Sequence, residues 1–164
     1  MTIQILSLII ALLAVIVGPI ITYRITKKNL EFQFRTLIQE KWIEKLENTA
    51  IEFLNSNVQW VEKYRGLMMR GAQGTESLTD INRTIDNMLD SINTSLIKLQ
   101  VMLDETKPNQ KDIIVKSVLM KNIVLKNDIG EHNLNELFGA HETIIKNLKT
   151  IFHDERKKIT NIFR

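Results

Sequence analysis

Residues 78–103 read LTDINRTIDNMLDSINTSLIKLQVML, and this stretch decides the fold class. Leu78, Ile81, Ile85, Met88, Ile92, Leu96, Leu99 and Leu103 follow one another in steps of 3, 4, 3, 4, 4, 3 and 4 residues. At ~3.6 residues per turn these steps put every member on one stripe of an α-helix, whereas a half-buried strand alternates by two. The regularity is close to that of a coiled coil, so the stripe requires packing partners along one face. Ser77-x-x-Asp80 is a helix-start signal, because a serine side chain can accept from a first-turn N–H. Lys107-Pro108 is the expected stop, since proline disfavours helix in the residue before it.

Upstream, Leu30, Phe34, Ile38, Trp42, Leu46, Ala50, Phe53, Leu54, Val58 and Val61 recur at helical spacing, predicting a first helix that ends near Tyr64. Gly66, Gly71 and Gly74 then bracket a polar turn. Downstream, residues 109–126 carry three apolar triplets, 113–115, 118–120 and 123–125, which fit a deeply buried helix or a pair of strands. Helix is preferred, because its neighbours are helical and a lone hairpin is marginal in water. Gly130 follows as a stop, and a last helix is expected over residues 131–163. Its stripe holds Leu134, Leu137, Phe138, Ile144, Ile145, Leu148, Ile151 and Phe152. Four amphipathic helices on short links predict an antiparallel four-helix bundle-like domain with long first and last helices.

The chain has 164 residues with 22 Lys+Arg, 19 Asp+Glu and no Cys, and no charged side chain precedes Arg24. Without cysteine there is no disulfide framework, no Cys-based zinc site and no thiol nucleophile. Residues 3–23, IQILSLIIALLAVIVGPIITY, are apolar apart from Gln4, Ser7, Thr22 and the Tyr23 hydroxyl. Roughly 20 such residues in a helix cross a hydrocarbon core of ~30 Å, so residues 1–23 are expected to form a transmembrane helix and 24–164 a helical domain. A cleaved signal peptide is the rival reading, but the basic leading region and small-residue cleavage site it needs are missing. Arg24, Lys27 and Lys28 follow the run at once, which puts residues 24–164 on the cytoplasmic side of the inner membrane and the N-terminus outside. Gly18-Pro19 is a candidate hinge, since proline removes one backbone hydrogen bond, although membrane helices tolerate it without any hinge.

If the four helices run out and back, the Lys107-Pro108 turn and the C-terminus return to the bilayer. Arg24, Lys27, Lys28, Arg35, Lys107, Lys111, Lys157, Lys158 and Arg164 are then candidate contacts to anionic lipid, each contributing about 1 kcal/mol. A scattered, solvated surface is the alternative. Trp42 and Trp60 lie 18 residues apart, five helical turns, and therefore point to one side as core anchors or partner contacts.

Catalytic signals are sparse. His132 and Glu136 sit four apart on one helix face, His141 falls on the apolar stripe, and His153 opens His-Asp-Glu-Arg. Two ligands do not make a metal site, and neither HExxH nor the Glu-x-x-His pair of diiron bundles occurs. Phosphate-loop, dinucleotide and nucleophile-elbow motifs are missing as well. Glu155 could be a buried carboxylate with a basic partner, but an edge residue whose charge reaches water is the preferred reading. The pI of about 9.1 raises nucleic acid as a partner, but acids and bases interleave and the net charge is only +3. No enzyme activity, metal, cofactor or nucleic acid is expected; the expected partners are membrane lipid and a second copy or another protein.

TYRITKKNLEFQ after the apolar run, then KWIEKLENTAIEFL with its Trp42-Ile43-x-x-Leu46 pattern, resembles a group of uncharacterised bacterial single-span membrane proteins. KLQVMLDETKPNQKDIIVKSV is similar to their helix–proline-turn–helix element, and IFHDERKKITNIF looks like their closing helix, with Arg156 where the group usually has a second tryptophan. The resemblance implies an N-anchored cytoplasmic helical domain and supplies no reaction. Some proteins of this shape accompany antiviral systems. Two functions are therefore expected: a scaffold, sensor or adaptor acting by association, or a membrane-permeabilising effector of a toxin or defence system.

Overall fold

Among the described residues of the computed structural model, every regular element is an α-helix. The structure describes residues 2–74, 77–126 and 130–161, with side chains over 15–74, 77–126 and 130–160. The elements are α1 (Thr2–Ala72), α2 (Leu78–Met102), α3 (Pro108–Leu125) and α4 (Glu131–Asn161). At 71 and 31 residues, α1 and α4 are the longer pair, as the stripes predict. Residues 113–125 are helical, which removes the hairpin alternative.

The boundaries move where packing outweighs local propensity. α1 continues eight residues past Tyr64, through Gly66 and Gly71, because Tyr64 and Leu67 are both buried in the core. It ends where Gly74 takes φ +66°, a left-handed conformation that only glycine adopts without strain. Ser77 caps α2 as predicted: its Oγ accepts from the Asp80 backbone N–H at 3.2 Å and donates to the Asp80 carboxylate at 2.6 Å.

α2 stops at Met102 rather than at Lys107-Pro108. The Asp104 side chain accepts from the Thr106 N–H at 3.0 Å and from the Thr106 hydroxyl at 2.6 Å, an Asx-type turn. The buried Gln110 side chain accepts from the Asp104 N–H at 2.7 Å and ties that turn to α3. Pro108 opens α3, where its missing N–H costs nothing. Gly130 starts α4 instead of stopping α3: its carbonyl accepts from the Leu134 N–H. Phe163, the expected end of the last helix, lies outside the described residues.

By packing, the chain divides into units 1–41 and 42–164. The division expected after Tyr23 is one of composition, whereas this one marks where α1 gains neighbours. In the second unit Thr49 meets Met102, Glu52 pairs with Lys98 at 3.1 Å and Ser56 meets Ser91, so α1 and α2 run antiparallel. Asp112 accepts from the Asn147 amide at 2.7 Å between α3 and α4. One core joins the four helices, with Phe53, Trp60, Leu99, Ile113, Val124, Leu137 and Ile144 all fully buried.

The triplets of α3 are less buried than expected. A helix turns ~100° per residue, so three consecutive residues cannot share one face. Val115 and Leu125 are exposed accordingly. Leu78 on α2 and Phe138 on α4, both members of predicted stripes, are exposed too.

Candidate functional site

The predicted basic face resolves into parts. Thr49 lies against Met102, so the α2–α3 turn sits at the end of the bundle that contains the first residues of the second unit. The end of α4 reaches the same place. Lys107, Lys157 and Lys158 line one cavity of about 370 Å³ with Pro108, Gln110 and Ile151. Lys111 lies exposed in the first turn of α3.

Acidic groups share this end. Lys158 pairs with Glu155 at 2.6 Å, and Lys107 approaches Asp104 at 4.0 Å. Asp154 also lines the cavity. Glu155 is therefore not the expected edge residue but a largely buried carboxylate with a basic partner, its side chain only 14% exposed. The Thr106 hydroxyl and backbone N–H, with Lys107 adding a smaller pull, hold the Asp104 carboxyl below its ordinary range. Arg24, Lys27, Lys28 and Arg35 are all exposed on the first unit, and Arg164 lies outside the described residues.

α1 passes through Gly18 and Pro19 without a break. The Thr22 hydroxyl donates to the Gly18 carbonyl at 2.9 Å, a contact that supports the backbone beside the proline. Among the described residues no helix is long and apolar enough to cross a membrane. The side chains of residues 1–14, most of the predicted span, lie outside the described set.

Trp60 is fully buried and stacks on Tyr64, with centroids 4.8 Å apart at an interplanar angle of 21°. Trp42 is half-buried and packs against the same core. His132, Glu136 and His153 are exposed. His141 instead lines an apolar groove of about 320 Å³ between α1 and α4, beside Ala50, Leu54, Ile145 and Phe152. Among the described residues no three His, Cys, Asp or Glu side chains are grouped to hold a metal ion.

Stripe reading passed over the polar members of the core. Asn57 and Ser117 are fully buried, although each occupies a position where its helix's apolar spacing calls for a hydrophobe. Asn57 follows Ala50 and Phe53 and precedes Trp60 and Tyr64, so the interruption was readable from spacing alone. No protein-family model, curated protein or solved structure matches the chain.

Proposed function

We propose that this chain is a non-enzymatic, single-pass membrane protein of the bacterial single-span kind it resembles. Residues 1–23 anchor it in the inner membrane with the N-terminus outside. Its cytoplasmic helical domain acts as a scaffold, sensor or adaptor through self-association or a protein partner. The observation that carries this reading is the first unit. It is a single helix whose apolar residues from Val15 to Ile25, and then Leu30, Phe34, Leu37 and Ile38, are exposed. Exposed apolar side chains in such number mark a surface for lipid or protein. The run before Arg24 fits lipid because it carries no charge. The run after it is amphipathic and fits another helix.

The basic residues at the bundle end contribute less to lipid attraction than their number implies, because two of them already face carboxylates. Arg24, Lys27 and Lys28 are the stronger lipid contacts. They follow the apolar run directly, as juxtamembrane basic segments do.

The test is crosslinking in membranes of the full chain beside a chain that begins at Lys27. Oligomers from both are expected, since residues 30–38 remain in the shorter chain. Oligomers only from the full chain, together with dye leakage from liposomes, would replace the scaffold with a permeabilising effector. A strictly monomeric full chain that captures no protein removes the proposal.

A further inference from the structure

Among the described residues of the second unit, four buried polar atoms have no protein hydrogen-bond partner: Asn57 Oδ1, Trp60 Nε1, Asn93 Oδ1 and Ser117 Oγ. They come from α1, α2 and α3, and the helix pairings put them within about two helical turns of one another along the bundle. Ser56 meets Ser91 and Glu52 meets Lys98, so Asn57 on α1 stands opposite the low nineties of α2, where Asn93 lies. Asn93 lies ten residues before Leu103 and Ser117 ten residues after Lys107, the two ends of the turn that reverses the chain between α2 and α3. At ~1.5 Å per residue both are about 15 Å from that turn. Trp60 is one turn beyond Asn57 on the same face. The Asp112–Asn147 contact brings Ala140 of α4 to this height. Ala140 is the smallest side chain of that helix's buried stripe, between Leu137 and Ile144.

The chemistry of the four atoms is complementary but indirect. Trp60 Nε1 can only donate, the two amide oxygens can only accept, and the serine hydroxyl can do either. Asn57 Nδ2 is already committed, donating to the Phe53 carbonyl at 2.8 Å. Water molecules can join such a set, one accepting from the indole and others donating to the amide oxygens. A buried water typically takes about three such bonds. Ser117 and Ala140 are smaller than the buried residues one turn either side of them, Ile113 and Met120 on α3 and Leu137 and Ile144 on α4.

We infer that the middle of this bundle is a hydration site: ordered internal water, shared by Asn57, Trp60, Asn93 and Ser117, is a permanent part of the core. It also fixes helix register, since sliding any of the three helices by one turn sets a polar atom against the apolar layers on either side.

Full-length chain carrying Trp42→Phe keeps one indole, that of Trp60, and allows a direct test. A nuclear Overhauser contact between the Trp60 indole proton and long-lived water is expected. Ser117→Ala should shift that indole resonance and lower the melting temperature by about 3–5 °C. An orphan hydroxyl behaves oppositely, because its removal relieves an unsatisfied group. A missing water contact, or a melting temperature unchanged or raised by Ser117→Ala, overturns the inference.

Discussion

Gly66 and Gly71 both lie inside α1, yet they answer to different surroundings. A Cβ on Gly66 meets nothing within 4 Å, so Gly66→Ala gains helix propensity at no steric cost. Denaturant unfolding should show about 0.5–1 kcal/mol of added stability. A Cβ on Gly71 falls 2.8 Å from the Ile81 δ-methyl, and Ile81 is itself buried. Gly71→Ala should therefore gain clearly less than Gly66→Ala in the same assay. Asp104 gives the pH signature. Its folded-state carboxyl is held low first by the Thr106 side chain and backbone, then by Lys107. A depressed folded value means the stabilisation is fully present above the ordinary aspartate range near ~3.9 and is lost as pH falls through the lowered value. Asp104→Ala should melt below the parent at pH 6, and the two curves should converge in acid. Curves that stay parallel to pH 2 would show that the turn draws nothing from the ionised carboxylate.

Elements were legible wherever one face of a helix met a core. The α2 stripe and its Ser77 cap came from spacing and cap chemistry, and the helical reading of residues 113–125 from its helical neighbours. What spacing could not supply was where a helix outlasts its own punctuation. Gly66 and Gly71 read as a turn, but burial of Tyr64 and Leu67 holds the backbone helical past them. The stop of α2 depends on a contact six residues away, from Asp104 to Gln110, which no local pattern encodes. The helical stripe also sets the energetics. Leu99 is fully buried while Val101, two residues on, is 82% exposed. Leu99→Ala should cost about 2–5 kcal/mol in unfolding free energy, against a change within about 0.5 kcal/mol for Val101→Ala. Equal effects at the two positions would mean that α2 does not pack through the stripe.

For the whole molecule, the question is what the first unit is for. The four helices of the second unit close their own core, with Trp60, Phe53 and Leu137 fully sealed. Residues 30–38 of α1 stand in the other unit with Leu30, Phe34, Leu37 and Ile38 about half-exposed or more. An apolar stripe outside the closed core makes no contribution to that core, so on the proposed reading its value lies in association. In an oligomer each such side chain contributes up to about 1.5–3 kcal/mol when covered, against an ordering cost of several kcal/mol for assembly. On the same reading, anchoring copies in one membrane raises their effective concentration and reduces that cost. Leu30→Glu combined with Phe34→Glu removes half the stripe and sets like charges against each other in a parallel pair. Crosslinked oligomer should fall at least tenfold in membranes, while the thermal transition of the bundle stays in place, because neither residue belongs to its core. A loss of oligomer accompanied by a lowered melting temperature would instead assign these residues to the fold. Unchanged crosslinking would move assembly to the segment before Arg24.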